Sequence, residues 1–171
     1  TNREDLADRI RPLKDQGRPK RGTGGDDLHD TIGYNFRYTD LQAAVGLGQM
    51  RFLEDRIARM KRTHDIYLRE LADVPAIRFL RANNEEGMVP QWTDVIAEKR
   101  DDLISFLAEQ GMDCRKYWFP IHKQKAYAQP DDAFPVSTEL CPRAVWLPSA
   151  FTLSDEDVMD VCGAIKRFYQ A

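Results

Sequence analysis

A helical periodicity that runs from residue 39 to residue 73 constrains the fold of this chain more than any other feature. Apolar side chains recur along it every three or four residues, the spacing that places them on one face of a helix. The stretch is roughly three times as long as an average helix. Such a length is typical of an element that joins two domains or lines a subunit interface. The stripe, which includes one histidine, consists of Leu41, Ala44, Val45, Leu47, Met50, Leu53, Ile57, Met60, His64, Tyr67 and Leu71.

Two glycines interrupt this periodic stretch. Gly46 and Gly48 would each cost about 1 kcal/mol relative to alanine in a helix interior. Their presence indicates either close packing against another backbone or a break between two helices near Arg51. Thr39 or Asp40 is the expected N-cap, because both side chains can accept a hydrogen bond from the first turn.

The chain ahead of this stretch offers a helix and a loop but no strand. Residues 4–16 predict a helix with a short apolar stripe, and residues 17–25 predict an exposed loop rich in glycine and basic residues. The helices of this part therefore have no sheet to cover, and their apolar faces need a partner that the sequence does not supply. This deficit favours a chain that is one part of a larger protein.

Beyond residue 73 the pattern becomes that of a small α/β unit. Strands and helices alternate there, Gly111 is placed to end one helix, and Ser154 is placed to cap the last one. The predicted strands are 88–97, 113–118 and 144–147, and the predicted helices are 101–110 and the segment that follows Ser154.

Composition excludes several classes of protein. Hydrophobic residues make up 42% of the chain and charged residues 31%, which fits a globular protein rather than a disordered one. The net charge of −3 gives no reason to expect nucleic acid or an anionic membrane as a partner. No apolar run approaches the length of a membrane-spanning helix, and no signal peptide is visible. The cytoplasm is the expected location.

Four segments along the chain stand out: GYNFRYTDLQAA at 33–44, YWFPIHKQKAY at 117–127, AVWLP at 144–148 and LSDEDV at 153–158. They resemble, in the same order, segments of the DegT-type sugar-nucleotide aminotransferases. Because they occur in the family's order and cover essentially the whole chain, together they are far more specific than any one alone. Two upstream segments, LKDQG at 13–17 and LHD at 28–30, are most similar to the perosamine-synthase branch of that family.

The resemblance implies an α/β fold, the C-terminal part of a type I aminotransferase that depends on pyridoxal 5′-phosphate (PLP). Linking helices would be joined to a small α+β domain with a short, mostly antiparallel sheet. On this basis residues 1–38 are the end of the large-domain segment and an interface loop, residues 39–73 are long inter-domain helices, and residues 74–171 are the small C-terminal domain. The N-terminal large domain would be missing from this chain.

The same resemblance implies a function. Members of the family are homodimers with shared active sites, and they transfer an amino group from glutamate through PLP to a keto carbon of a nucleotide-linked sugar. The perosamine-synthase similarity favours a GDP-linked 4-keto-6-deoxy sugar. A second hypothesis is a non-catalytic binding, regulatory or dimerisation module of the same fold.

Asn35 is the candidate cofactor-binding residue. In the family the matching asparagine reaches the PLP phosphate of the neighbouring subunit. An amide can donate to a phosphate oxygen without adding charge, and Gly33 would let the backbone approach closely. The alternative is that Asn35 only caps the following helix.

Three further residues are candidates for substrate binding. Arg37 could hold a carboxylate or phosphate with two hydrogen bonds, or it could form an ordinary ion pair. His122 matches a histidine near the family's sugar-nucleotide pocket, and its alternative is a hydrogen-bonded structural role. Tyr117 is a weaker candidate from the same segment. No metal site is expected, since no histidine pair has metal-ligand spacing.

No residue of this chain is a catalytic candidate. A PLP enzyme needs a lysine poised to form a Schiff base, and no lysine here matches the family's catalytic motif. In the family that lysine lies ahead of the segment represented by this chain. The chain by itself is therefore expected to be inactive.

Overall fold

Six α-helices and a four-stranded sheet form the part of the chain that the structure, a computed structural model, describes: residues 1–18, 29–80 and 87–170. The chain divides into two compact units, Thr1–Arg51 and Phe52–Ala171. The helices are Glu4–Lys14 (α1), Asp40–Met50 (α2), Leu53–Glu70 (α3), Arg100–Ala108 (α4), Pro135–Leu140 (α5) and Asp155–Gln170 (α6). The strands are Ile77–Phe79 (β1), Thr93–Ala97 (β2), Arg115–Lys116 (β3) and Ala144–Leu147 (β4).

In the first unit, α1 ends two residues before the end of the predicted helix. Gln16 and Gly17 adopt positive φ angles of 58° and 82°, which a right-handed helix cannot accommodate. Residues 19–25 of the predicted loop lie outside the described residues, and Gly17 itself is buried rather than exposed.

The second helix begins where the sequence predicts. The backbone N–H of Thr39 donates to Gln42 Oε1 at 2.9 Å, and the N–H of Gln42 donates to Thr39 Oγ1 at 3.3 Å. This reciprocal capping box satisfies two donors that the helix would otherwise leave unpaired. The helix ends at Met50 and α3 begins at Leu53, so the predicted break near Arg51 is confirmed.

The apolar side chains of α2 have no cover within the described part of the chain. None of the residues of this helix is buried, and Leu41 is 76% exposed. Exposed apolar side chains in such number mark an interaction surface in a stable protein. Val45, Leu47 and Met50 of the same helix are exposed as well.

In the second unit, the four strands pair antiparallel in the order β1-β2-β4-β3. The expected short antiparallel sheet is therefore confirmed, and β4 has the bounds that the sequence predicts. The predicted strand 88–97 begins only at Thr93, because Pro90 has no N–H to pair. The predicted strand 113–118 shrinks to two residues, Arg115 and Lys116, which pair with Trp146 and Val145 of β4. It cannot continue far beyond Lys116, because β4 starts at Ala144.

One face of the sheet packs against α3, α4 and α6 to form the core of this unit. Side chains alternate across a strand, so Val95 and Val145 point into this core while Asp94 and Trp146 point to the opposite face. Gly111, with a φ of +76°, ends α4 as predicted. Fully buried members of the core are Tyr67, Leu71, Val95, Leu103, Leu107, Val145, Val158 and Ile165.

Two arginines of α3 hold the start of α6 through one carboxylate. Arg59 Nη1 lies 2.6 Å from Asp155 Oδ1, and Arg62 donates from both Nε and Nη2 to the same carboxylate. The hydrogen bonds from Arg62, then those from Arg59, hold the pKa of Asp155 far below its usual range. Ser154 caps α6 as predicted, since its Oγ accepts from the N–H of Asp157 at 3.1 Å.

We expect Asp155→Asn to lower the free energy of unfolding at pH 7, because the two guanidinium groups lose their shared carboxylate. A carboxylate with a depressed folded-state pKa stabilises above its unfolded pKa of about 4, and that contribution disappears as pH falls. The difference from wild type should therefore shrink between pH 7 and pH 3 in denaturant unfolding. Asp160→Asn, on the same helix, is the matched control. An equal deficit at both pH values would contradict this account.

No helix in the described ranges is both long enough and apolar enough to cross a membrane.

Candidate functional site

The segment that carries Asn35 is fixed by backbone hydrogen bonds to the end of α1. The N–H of Tyr34 donates to the Leu13 carbonyl at 2.7 Å, and the N–H of Gln16 donates to the Tyr34 carbonyl at 3.0 Å. A third bond, of 3.0 Å, joins the N–H of Phe36 to the Lys14 carbonyl. This short antiparallel pairing holds the residues around Asn35 in an extended conformation.

Gly33 is required by the same arrangement. A Cβ atom at Gly33 would lie 2.0 Å from the backbone N of Gly17 and 2.5 Å from the carbonyl C of Gln16. A Cβ at Gly17 would in turn lie 1.7 Å from the carbonyl O of Thr31. The two backbone segments thus cross at a distance that only glycine permits. The sequence suggested that Gly33 gives room to a phosphate, whereas its neighbour in the structure is the chain's own backbone.

The side chain of Asn35 is exposed, and no hydrogen bond to another described residue engages its amide. Tyr34 and Phe36 stack on each other with ring centroids 5.2 Å apart, so both project from one side of the extended segment. Because side chains alternate along extended backbone, the Asn35 amide projects from the other side. The alternative that Asn35 caps α2 is wrong, since Thr39 makes the capping hydrogen bonds.

Arg37 forms a long ion pair in the structure. Its Nη1 lies 3.5 Å from Asp15 Oδ1, and Arg18 Nη1 approaches the same oxygen at 3.8 Å. The Asp15 side chain is only 7% exposed, so this carboxylate needs such cationic partners. The ion-pair interpretation of Arg37 thus has an identified partner.

His122 is buried in the second unit, and both ring nitrogens have partners. Nε2 lies 3.1 Å from Asp131 Oδ1 and 3.1 Å from Thr138 Oγ1, and Nδ1 lies 3.4 Å from Ser137 Oγ. The imidazole stacks on the ring of Phe134, with centroids 4.7 Å apart.

The carboxylate of Asp131 can only accept, so the contact at Nε2 assigns a proton to that nitrogen. With the proton on Nε2, His122 donates to the oxygens of Asp131 and Thr138. The one proton of the Ser137 hydroxyl faces two acceptors, Nδ1 and the Phe134 carbonyl, each at 3.4 Å. The Thr138 hydroxyl then donates to the Asp131 carbonyl at 3.3 Å. Lys123 Nζ, 2.9 Å from Asp131 Oδ2, is the main cause that lowers the pKa of Asp131, and His122 adds to the effect.

Tyr117 lies among aromatic side chains on the outer face of the sheet. Its ring meets Trp146 edge-on with centroids 5.7 Å apart, and Trp118 meets Trp146 in the same way at 4.8 Å. The Arg115 guanidinium lies 5.1 Å from the ring centroids of both tryptophans.

Tyr117 and His122 border two different cavities of this unit. The cavity beside Tyr117 has a volume of about 500 Å³ and is mostly apolar. The cavity beside His122, called the apolar cleft below, has a volume of about 520 Å³. Phe134 lines both. The apolar cleft is lined by Trp118, Phe119, Pro120, Ile121, His122, Tyr127, Gln129, Phe134, Ser137 and Cys141.

Each unit therefore contains two of the predicted residues, and no described hydrogen bond or ring contact joins the members of either pair. Asn35 and Arg37 lie in the first unit, and Tyr117 and His122 lie in the second. The sequence did not point to the partners of His122, because Asp131, Ser137 and Thr138 reach it only through the fold of the intervening loop.

Two of the three cysteines have thiols of low reactivity. Burial raises the pKa of the Cys114 and Cys162 thiols to about 12 in each case. A thiol with such a pKa stays protonated near neutral pH and is a poor nucleophile.

Comparison with known proteins identifies the family. Residues 1–166 match the DegT/DnrJ/EryC1/StrS aminotransferase family. The GDP-perosamine synthase of Escherichia coli O157:H7 is 31% identical over 173 residues, which cover 99% of this chain and 46% of the relative. The GDP-perosamine synthase of Vibrio cholerae is 29% identical over 176 residues, with 99% and 47% coverage. The crystal structure of S. venezuelae DesV in complex with a ketimine intermediate has a TM-score of 0.85 and 27% identity, and the match covers 100% of this chain and 46% of DesV.

The chain thus spans about half the length of the curated relatives it matches. Its helices and small antiparallel sheet have the fold of the C-terminal part of these aminotransferases, as the sequence resemblance implied. The chain belongs to the DegT/DnrJ/EryC1/StrS aminotransferase family.

Proposed function

We propose that this chain is the C-terminal portion of a PLP-dependent aminotransferase that moves an amino group from glutamate to a nucleotide-linked 4-keto-6-deoxy sugar. Membership of the aminotransferase family supports the reaction class. The names of two relatives, both GDP-perosamine synthases, support a GDP-linked sugar as the acceptor. The observation in this chain that carries the proposal is the exposed amide of Asn35, which no other described residue engages, on a segment held by three backbone hydrogen bonds.

The surroundings of Asn35 fit a phosphate group. A neutral amide donor whose hydrogen-bonding capacity is unused can bind a phosphate oxygen without an opposing internal partner. The three backbone hydrogen bonds that flank Asn35 reduce the entropy lost when the side chain binds. In the proposed enzyme Asn35 binds the PLP phosphate held by the neighbouring subunit.

PLP, when bound, supplies the electron sink that allows the amino group to move between carbon atoms. The lysine that carries PLP must form a Schiff base with the cofactor. No lysine of this chain matches the family's catalytic motif, which supports a catalytic lysine outside this chain.

The exposed apolar side chains of α2 support a dimer with shared active sites. A second copy and the large domain are the proposed partners of this helix, because Leu41, Val45, Leu47 and Met50 have no cover in the described part of the chain. The stacked Tyr34 and Phe36 add an exposed aromatic surface next to Asn35. Enrichment in aromatic side chains is typical of protein interfaces.

A half-reaction separates this enzyme from a non-catalytic module of the same fold. The full-length protein, loaded with PLP and mixed with glutamate alone, should release about one equivalent of 2-oxoglutarate per active site. Without an acceptor sugar the cofactor keeps the first amino group and cannot accept a second one. Aspartate in place of glutamate serves as the donor control. Tight binding of PLP without any release of 2-oxoglutarate would refute the catalytic proposal and favour the binding module.

A further inference from the structure

Both ring nitrogens of His122 are engaged by the protein itself. A substrate could form a hydrogen bond with this imidazole only by displacing Asp131, Thr138 or Ser137. We infer that His122 is a positioning residue: it fixes one wall of the apolar cleft for the nucleotide-linked sugar and does not itself bind that sugar. This inference rests on the proposed function.

His122 joins two parts of the chain between β3 and β4, and the second part includes the start of α5. Its ring contacts side chains of the segment 131–138, while its backbone belongs to the segment that lines the cleft. The N–H of Gln129 donates to the His122 carbonyl at 2.9 Å, so the main chain of His122 closes the turn that contains Tyr127. The ring of His122 thus fixes the cleft-lining segment to residues 131–138, and its carbonyl fixes the turn around Tyr127.

The wall that His122 holds is apolar and open to solvent. Trp118, Phe119, Ile121 and Tyr127 line the cleft, and more than half of each of these side chains is exposed. No regular element supports this wall, since residues 117–130 contain only two single-turn 3₁₀ helices, Ile121–Lys123 and Lys125–Tyr127. Short 3₁₀ turns have poor hydrogen-bond geometry and little stability of their own. The network around His122 therefore constrains the part of the wall from Phe119 to Tyr127, while Trp118 is also held by its contacts with Trp146 and Arg115.

Two variants test the inference without changing the cleft. Asp131 and Thr138 both contact Nε2 of His122, and neither residue lines the cleft. Asp131→Asn and Thr138→Val in the full-length enzyme should each raise the KM for the nucleotide-linked sugar roughly tenfold, since misplacement of binding groups weakens productive contacts. The KM for glutamate should stay unchanged. Asp132→Asn, at the adjacent exposed carboxylate, is the matched control and should behave as wild type.

Hydrogen exchange supplies a structural readout that does not depend on activity. The backbone amides of Tyr127 and Gln129 should exchange faster in both variants, because the turn that their hydrogen bonds close is no longer fixed through the ring of His122. The hydrogen bonds of Thr138 go to His122 and Asp131 and not to Lys123, so an effect shared by the two variants does not come from the Lys123–Asp131 ion pair. Because Thr138→Val also removes the bond to the Asp131 carbonyl, a double-mutant cycle is needed to assign the effect to His122.

A double-mutant cycle completes the test. His122→Phe keeps a ring that can stack on Phe134 but removes both nitrogens, so adding Thr138→Val to it should raise the KM no further. If His122→Phe raises the KM while Thr138→Val and Asp131→Asn change neither KM nor exchange, His122 binds the sugar directly and the inference is overturned. Faster exchange with an unchanged KM would overturn it as well. A wild-type protein without aminotransferase activity would refute the proposed function instead, and His122 would then have only a structural role.

Discussion

Replacing Gly33 by alanine should open the pairing between residues 33–36 and the end of α1. The new Cβ would lie 2.0 Å from the backbone N of Gly17, a contact that no side-chain rotation can relieve. The expected loss is about 3 kcal/mol, the upper part of the range for overpacked sites, because both crossing segments are backbone. The Asn35 amide would then lose its fixed position.

Hydrogen exchange at the amides of Gln16, Tyr34 and Phe36 measures this effect directly, since all three donate across the pairing. Gly48→Ala is the matched control. Nothing lies within 4 Å of a Cβ at Gly48, so alanine there should be neutral or should stabilise α2 by up to about 1 kcal/mol. Equal exchange rates in Gly33→Ala and wild type would show that the two segments do not cross as closely as described.

The second large effect is expected on cofactor binding. Asn35→Ala in the full-length protein should weaken retention of PLP by about 1.5–3 kcal/mol, the usual contribution of a hydrogen bond to a charged group. This corresponds to an increase in the Kd for PLP of roughly 10- to 150-fold. Asn35→Asp should be worse still, because a carboxylate would repel the phosphate.

Equilibrium dialysis of PLP against the purified variants provides the measurement. Asn2→Ala makes the same chemical change at another exposed asparagine, and it should leave the Kd unchanged. The Asn35→Ala protein should also retain wild-type exchange at the Tyr34 and Phe36 amides, because the backbone pairing does not involve the Asn35 side chain. A Kd for PLP equal to that of wild type would exclude Asn35 as a phosphate ligand.

The periodic parts of the chain could be predicted because their structure depends on local interactions. The break near Arg51 follows from two glycines, and the start of α2 follows from Thr39 with Gln42 three residues later. Strand β1, in contrast, was missed. Its three residues are too few for an alternating pattern to stand out, and their pairing with β2 is decided by the rest of the sheet.

In the candidate site, too, local features could be predicted and tertiary contacts could not. The sequence pointed to Asn35 and His122 through family motifs, but it gave no sign of how either is held. Gly17 and Gly33 are sixteen positions apart, and no local pattern indicates that their backbones cross. The partners of His122 are likewise brought to it by a loop whose path depends on tertiary contacts. For Arg37, buried Asp15 proved to be a partner that composition alone could not reveal.

Transfer of nitrogen from glutamate to a nucleotide-linked sugar tests the central claim most directly. The full-length protein, with PLP, ¹⁵N-glutamate and a GDP-linked 4-keto-6-deoxy sugar, should yield ¹⁵N in the sugar nucleotide and an equal amount of 2-oxoglutarate, both measured by mass spectrometry. A dTDP-linked 4-keto-6-deoxy sugar, run in parallel, tests the preference for the GDP-linked acceptor. Absence of ¹⁵N from both sugar nucleotides, in a protein that is folded and binds PLP, would contradict the proposed aminotransferase function.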